Sequence, residues 1–233
     1  MPPTQPPAAS LLQATIRACA PAIPGADNVG QSGDPRDLYW LVDYMAFAVD
    51  RAYAGHPCGR GCSDCCRNQL FRVSEPEWAR LREGLLAAPA AVRRGILGRA
   101  RATFGAHRAA LEALAAAWSA GERPDPAWHQ AAPRACPVLG DDGRCSLYDD
   151  RPAICRAFGA FSATVEGATS VLICHQHGPG FLEALEHAGV ADVTLPNWNP
   201  VQRRLQALAP GGMIKPLPLW LLEWPEEDAP CSA

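Results

Sequence analysis

Apolar residues recur at three- and four-residue intervals along much of the chain, which is the spacing of an amphipathic α-helix. The first long run follows Asp37, and its apolar positions are Leu38, Leu41, Val42, Met45, Val49 and Ala52. This run predicts a helix that ends near Gly55, because His56 and Pro57 follow at once.

Two further helical segments carry clear signals. Ser74 and Glu77 have the spacing of a capping box, with Pro76 in the first turn, and predict a helix to about Leu86. A longer pattern at about 90–120 repeats a large apolar residue every seven positions, at Leu97, Phe104, Leu111 and Trp118. Such a stripe suits a dimer contact or the core of a helical hairpin, and we favour core packing.

Strand signals are few. Residues 69–73 form a short extended stretch, and residues 161–165 and 169–173 flank a glycine-containing turn in the pattern of a β-hairpin. Further helices are predicted near 152–158, 180–188 and 201–209. The fold class we expect is mostly α with little strand and an inserted helical hairpin.

Proline-rich segments suggest how the chain is divided. Residues 1–36 lack sustained periodicity and predict a mobile leader with at most a short helical turn near 11–18. Residues 37–192 are expected to form the cysteine-bearing domain, with the helical insertion at about 74–132. Residues 193–233 are expected to add a helix and an irregular tail rich in proline and tryptophan.

Composition narrows the class of protein. The chain has 233 residues and a formal net charge of −3 at pH 7, so a broad basic face for nucleic acid is not expected. Its apolar runs are shorter than the ~18–20 residues that cross a bilayer, and its start lacks the basic region of a secretory signal. We therefore expect a cytoplasmic protein with no nucleic-acid or membrane partner. Ten cysteines in a reducing compartment indicate metal binding or redox chemistry.

Eight of the cysteines form two groups. The first loop contains Cys58, Cys62, Cys65 and Cys66, and the second segment contains Cys136, Cys145, Cys155 and Cys174. Two thiolates at C-x2-C spacing reach one metal ion while nearby glycines allow the tight bends. We expect these eight to be ligands and Cys19 and Cys231 to be bystanders. The mostly α fold is therefore expected to be built on a small metal-stabilised cysteine-cluster core that carries the inserted helical hairpin. Because adjacent side chains tend to diverge, we expect Cys65 or Cys66 to point away from the centre that its neighbour binds.

These motifs resemble the YkgJ-type cysteine-cluster family, whose CxxCxxCC domain is described as zinc- or iron-chelating. The resemblance rests on Cys58-x3-Cys62-x2-Cys65-Cys66, on Cys136-Pro137-Val138-Leu139, and on the run from Cys145 to Phe158 with Cys174 beyond it. It covers roughly residues 58–175, interrupted by the helical insertion, and its first spacing is one residue longer than the family's name indicates. The resemblance implies a metal-binding bacterial cytoplasmic protein. Some relatives are labelled iron–sulfur oxidoreductases, and flagellin lysine N-methylases carry a similar domain.

Arginine and histidine side chains beside the cysteines are further candidates for contact with a bound metal or cofactor. An arginine can offset the negative charge of several thiolates and lower their pKa values. Arg151 and Arg156 are the cofactor-binding candidates; Arg151 has an alternative role in capping carbonyls or pairing with Asp150, whereas the family motif favours Arg156. His177 is better placed than His175 to share a metal with a cysteine, but with eight cysteines present we expect a satisfied or solvated histidine.

Thiolate ligands suit both zinc and iron–sulfur clusters. Structural zinc typically uses two C-x2-C pairs, and the single such pair here favours an iron–sulfur cluster over zinc. The function we expect is redox or sensing chemistry with a protein or redox partner, and oxidoreductase activity is left open. The alternative is a zinc-stabilised module whose helical insertion binds a protein. A methylase-like enzyme is less expected, because no glycine-rich nucleotide loop follows a strand.

Overall fold

A computed structural model describes residues 8–30, 34–53, 58, 61–122, 133–174, 176–187, 194–209 and 211–225. Over these ranges the chain is mostly α-helical with two antiparallel two-stranded sheets, as the sequence predicts. No helix within them has the length and apolarity that a membrane span requires. The chain divides into unit 1, Met1–Cys62 with Ala153–Leu208, and unit 2, Ser63–Pro152 with Ala209–Ala233.

The elements follow in chain order. Unit 1 begins with α1 (Ala8–Cys19), a 3-10 helix (Ala20–Gly25) and α2 (Leu38–Ala52). Unit 2 then contributes α3 (Asp64–Asn68), β1 (Arg72–Ser74), α4 (Glu75–Ala87), α5 (Ala90–Phe104) and α6 (Arg108–Ser119). Unit 1 resumes with α7 (Ala153–Ala157), β2 (Ser162–Val165), β3 (Ala168–Val171), α8 (Gly178–His187) and α9 (Trp198–Leu208). Unit 2 ends with β4 (Ile214–Pro216) and α10 (Leu217–Leu222).

Helix α1 replaces much of the mobile leader that the sequence predicts. Leu12, Thr15 and Cys19 lie one helical turn apart and are buried, and α1 packs against α2. Burial raises the pKa of the Cys19 thiol, so this cysteine is a core side chain. A stripe of about one buried residue per turn is too narrow to stand out as periodicity among the prolines, which explains the missed helix.

Helix α2 and the hairpin confirm the sequence pattern in unit 1. Asp37 caps α2 by accepting a hydrogen bond from the backbone N–H of Tyr39 at 2.8 Å. In the hairpin, Ser162 pairs with Val171 and Val165 pairs with Ala168. The connecting Glu166 and Gly167 both have positive φ, 52° and 82°, as the tight two-residue turns of β-hairpins require.

Unit 2 is built around aromatic and aliphatic side chains. Trp78 of α4 and Trp220 of α10 stack with ring centroids 5.5 Å apart, and the Trp220 indole N–H donates to the Val73 carbonyl at 3.0 Å. The predicted capping box is confirmed, because both the backbone N–H and the hydroxyl of Ser74 donate to Glu77 Oε2, at 2.9 and 2.7 Å. The seven-residue stripe of the insertion is buried core, as we favoured.

The single helix predicted over 90–120 is wrong. It is two helices, α5 and α6, separated by a 3-10 turn at Gly105–His107. Glycine weakens a helix interior, and Gly105 stands at the start of the turn. Phe104 and Leu111, on either side of the turn, belong to one apolar cluster with Leu219, so the seven-residue stripe stays on one face across the break.

The irregular tail predicted after residue 210 is wrong over the described residues 211–225. Strand β4 pairs antiparallel with β1, placing Ile214 opposite Ser74 and Pro216 opposite Arg72. Helix α10 follows, and its residues Leu217 to Leu221 are buried. Both elements are too short to give a periodic signal in the sequence, and packing against distant parts of the chain stabilises them. The domain expected over 37–192 stays a prediction.

Candidate metal centre

The eight candidate cysteines divide equally between the units. Unit 1 contains Cys58, Cys62, Cys155 and Cys174, and unit 2 contains Cys65, Cys66, Cys136 and Cys145. Each set takes members from both the first loop and the second segment, which the insertion separates in sequence. The cysteines that the structure describes are thiols, not disulfides. Cys231 lies outside the described residues.

Cys65 and Cys66 lie together in the first turn of α3. Their sulfur atoms are 4.0 Å apart, so the divergence expected of two adjacent side chains is not observed. Two thiolates bound at about 2.3 Å to one tetrahedral zinc ion lie about 3.8 Å from each other. The spacing of this pair therefore fits two ligands of one metal ion.

A tight loop presents Cys136 and Cys145 in the same unit. The backbone N–H of Cys136 donates to the carbonyl of Cys66 at 2.6 Å, which fixes the start of the loop against the end of α3. A β-bridge pairs Leu139 with Cys145, and Gly140 N–H donates to the Arg144 carbonyl at 2.7 Å. These main-chain bonds hold both cysteines next to the helix that bears Cys66.

The backbone amides of Val138 and Leu139, the second and third residues after Cys136, lower the pKa of its thiol. The Leu139 N–H donates to the Cys136 carbonyl at 3.1 Å, which closes a turn over these residues. Amides close to a cysteine favour the thiolate form that binds metal. The run Cys136-Pro137-Val138-Leu139 is visible in the sequence, whereas the turn that it forms is visible only in the structure.

The pKa values of the unit 2 thiols depend on one another. Burial and, to a smaller extent, the neighbouring thiols of Cys66 and Cys145 raise the pKa of Cys136 to about 12, against the effect of the Val138 and Leu139 amides. The pKa of Cys66 is lowered to about 7, first by its hydrogen bond with Cys65 and, against the effect of burial, by Arg67 and Arg151. A bound cation would relieve the mutual repulsion that several thiolates here would experience.

The two arginine candidates have different surroundings. Arg151 lies over the Tyr148 ring at 3.8 Å and donates to the Tyr148 carbonyl at 2.8 Å. From there its charge acts on Cys66. Arg156 is buried in unit 1, where it forms an ion pair with Asp43 and lies 4.2 Å from the centre of the Tyr39 ring. Its role at a metal centre remains a prediction.

In unit 1 the structure brings a histidine to the first cysteine loop. The sulfur of Cys62 and a ring nitrogen of His177 lie within 4.8 Å of each other. Cys174, which is buried, precedes His177 by three residues, and Cys155 is half-buried on α7. The sequence identifies His177 as a possible ligand but favours a satisfied or solvated histidine. Its proximity to Cys62 makes it a candidate donor of unit 1.

The donor set fits a soft transition metal. Clustered thiolates, with an imidazole beside one of them, suit zinc and iron–sulfur centres, whereas magnesium and calcium prefer oxygen ligands. The arrangement in unit 2 has the features of such a site: closely spaced sulfurs, backbone amides that lower a thiol pKa, and arginine charge nearby. The residues present therefore fit a metal held mainly by thiolates.

Comparison with protein families agrees with this chemistry. The profile of the family CxxCxxCC, described as "Putative zinc- or iron-chelating domain", matches residues 57–175. The chain belongs to this family. The match begins just before Cys58 and ends just after Cys174, so it encloses all eight candidate cysteines, whereas His177 lies beyond it. Comparison with curated proteins and with solved structures gives no significant match.

Proposed function

We propose that this protein binds an iron–sulfur cluster through its eight clustered cysteines and acts in redox or sensing chemistry in the cytoplasm. The observation that carries the proposal is the unit 2 arrangement, in which the sulfurs of Cys65 and Cys66 lie 4.0 Å apart and the backbone N–H of Cys136 donates to the Cys66 carbonyl. An iron–sulfur cluster, when bound, supplies one-electron redox chemistry. Hydrogen bonds to the sulfurs and burial are the main ways in which a protein sets its reduction potential.

The residues of the chain have distinct parts in this proposal. The thiolates of Cys65, Cys66, Cys136 and Cys145 bind the metal in unit 2. The amides of Val138 and Leu139 lower the pKa of Cys136 against the effect of burial, and Arg67 and Arg151 lower the pKa of Cys66. Each of these contacts favours the ionised, metal-binding form of a cysteine.

A second candidate function is a zinc-stabilised module that binds a partner protein. The observation that favours it is the closeness of Cys62 and His177, because mixed thiolate and imidazole ligation is typical of structural zinc. The helical insertion of unit 2, α4 to α6, is the surface that this reading assigns to the partner.

Metal analysis of the anaerobically purified full chain tests the proposal. We expect iron and acid-labile sulfide, with broad visible absorbance that dithionite bleaches. Cys136→Ser should remove much of that absorbance, whereas Cys19→Ala, which alters a buried thiol packed in the α1–α2 core, should leave it unchanged. A colourless chain with stoichiometric zinc would favour the zinc module instead. A chain without metal would contradict both functions.

A further inference from the structure

His177 lies close enough to Cys62 to add an imidazole donor to the candidate thiolate ligands of unit 1. Its ring nitrogen and the Cys62 sulfur are within 4.8 Å. In a tetrahedral zinc site with bonds of about 2.3 Å to sulfur and about 2.0 Å to nitrogen, the two ligand atoms lie roughly 3.5 Å apart. The two side chains therefore need only a small adjustment to bind one ion.

Main-chain hydrogen bonds tie both Cys174 and His177 to the start of α8. Gly178 N–H donates to the Cys174 carbonyl at 2.9 Å, and Phe181 N–H donates to the His177 carbonyl at 3.0 Å. An added Cβ at Gly178 would lie 2.9 Å from Ile173 Cγ2, so the small residue allows this turn to close.

The spacing of donors in unit 1 also changes once His177 is included. Cys58 and Cys62 form a C-x3-C pair, and Cys174 and His177 form a C-x2-H pair. Structural metal sites are commonly assembled from two such short-spaced pairs that are far apart in sequence.

We infer that His177 is a metal ligand that binds the same ion as Cys62, which gives unit 1 a centre with mixed thiolate and imidazole ligation. Cys58 and Cys174 are the thiolates whose spacing suits the remaining positions. The inference rests on the proposed metal-binding function and adds to it a ligand beyond the end of the family match at residue 175.

Zinc and cobalt binding to the full chain, prepared metal-free under anaerobic conditions, tests this assignment. We expect His177→Ala to weaken one class of Zn²⁺ sites by more than about 100-fold, beyond the 10–100-fold typical of losing an outer partner of a ligand. Gln176→Ala, an exposed change in the same turn, should bind as the wild type does. In NMR spectra of histidine-labelled chain, the ring signals of His177 should shift on adding Zn²⁺.

A conservative variant separates ligation from folding. His177→Cys should restore tight binding and move the cobalt absorption bands toward those of a centre with more thiolate ligands. If His177→Ala folds poorly, recovery of metal binding in His177→Cys still supports ligation, and failure of His177→Cys to bind counts against it.

Other outcomes overturn the inference. If the wild type binds metal through cysteines while His177→Ala keeps the same affinity and cobalt spectrum, His177 is not a ligand and the proposed function stands. If His177→Ala only slows alkylation of Cys62 in the metal-free chain, the pair is a thiolate–imidazolium contact and not a metal site. A wild-type chain that binds no metal removes the proposed function and this inference together.

Discussion

The amides of Val138 and Leu139 lower the pKa of the Cys136 thiol, and the backbone of its loop fixes their positions. A side-chain donor would lose rotamer freedom on binding, whereas an amide in a closed loop is already oriented. Burial outweighs the two amides and raises the pKa of Cys136 to about 12, so a bound cation would be needed to favour its thiolate. The pKa of Cys66 is instead lowered to about 7, by the thiol of Cys65 and by Arg67 and Arg151.

Alanine substitutions at Gly84 and Gly98 measure how much free space surrounds single residues in unit 2. An added Cβ at Gly84 would lie 2.9 Å from Asp150 Cβ and still closer to its carboxylate, which Arg80 holds in an ion pair at 2.6 Å. We expect Gly84→Ala to destabilise the protein by about 1–3 kcal/mol through overpacking. Urea unfolding followed by circular dichroism measures this change.

Gly98 provides the matched control. It lies inside α5, is exposed, and an added Cβ there meets nothing within 4 Å. Gly98→Ala should therefore stabilise the protein by about 0.5–1 kcal/mol, because alanine is the better helix former. Equal effects at the two glycines would show that the contact with Asp150 is not restrictive.

Among the secondary-structure elements, β4 and α10 depend most on distant parts of the chain. Strand β4 is paired with β1, and Trp220 of α10 stacks on Trp78 of α4. The cysteines of unit 2 lie in loops and a short helix that pack around this core; Cys136 and Cys145 contact its apolar cluster. Loss of the two C-terminal elements should therefore disturb the metal ligands as well as the core.

Truncation after Leu208 tests this dependence. We expect the shortened chain to lose the cooperative unfolding of unit 2 and the metal bound by its cysteines, because removing the partners of β1 and α4 exposes a large apolar surface. Amide hydrogen exchange and metal analysis report the two effects. Truncation after Pro225 removes Cys231 but keeps β4 and α10, and should retain both the metal and the protection. Metal bound at full stoichiometry after the first truncation would contradict the expectation.

Metal binding should stabilise the chain as a whole, because its sites join segments that are remote in sequence. Structural zinc contributes on the order of 10 kcal/mol to the folding of small domains, and an iron–sulfur centre is expected to act in the same direction. Complete removal of metal with a chelator should leave a partly unfolded chain with a lower thermal midpoint. Circular dichroism and differential scanning calorimetry before and after chelation measure the change. A metal-free chain that unfolds like the untreated protein would refute this prediction.

Signals between neighbouring residues were sufficient to predict several helices and strands. The capping pair Ser74 and Glu77 set the start of α4, the apolar periodicity after Asp37 set α2, and the turn at Glu166 and Gly167 set the hairpin. Each depends on residues within one or two turns of one another, so the signal lies in adjacent positions. The same is true of the cysteine motifs, which were sufficient to indicate metal binding and the family.

Long-range packing decided the rest. Partners far away in sequence stabilise α1, the turn between α5 and α6, β4 and α10. In these places the burial of apolar surface outweighs a weak local preference. The same reason applies to the site: spacing identified eight cysteines, but tertiary structure divided them four to each unit and brought His177 to Cys62. The identity of a residue determines which ligand atom it can offer, and this is visible in the sequence. Whether two residues bind the same metal ion depends on the distance between them, which only the folded chain determines.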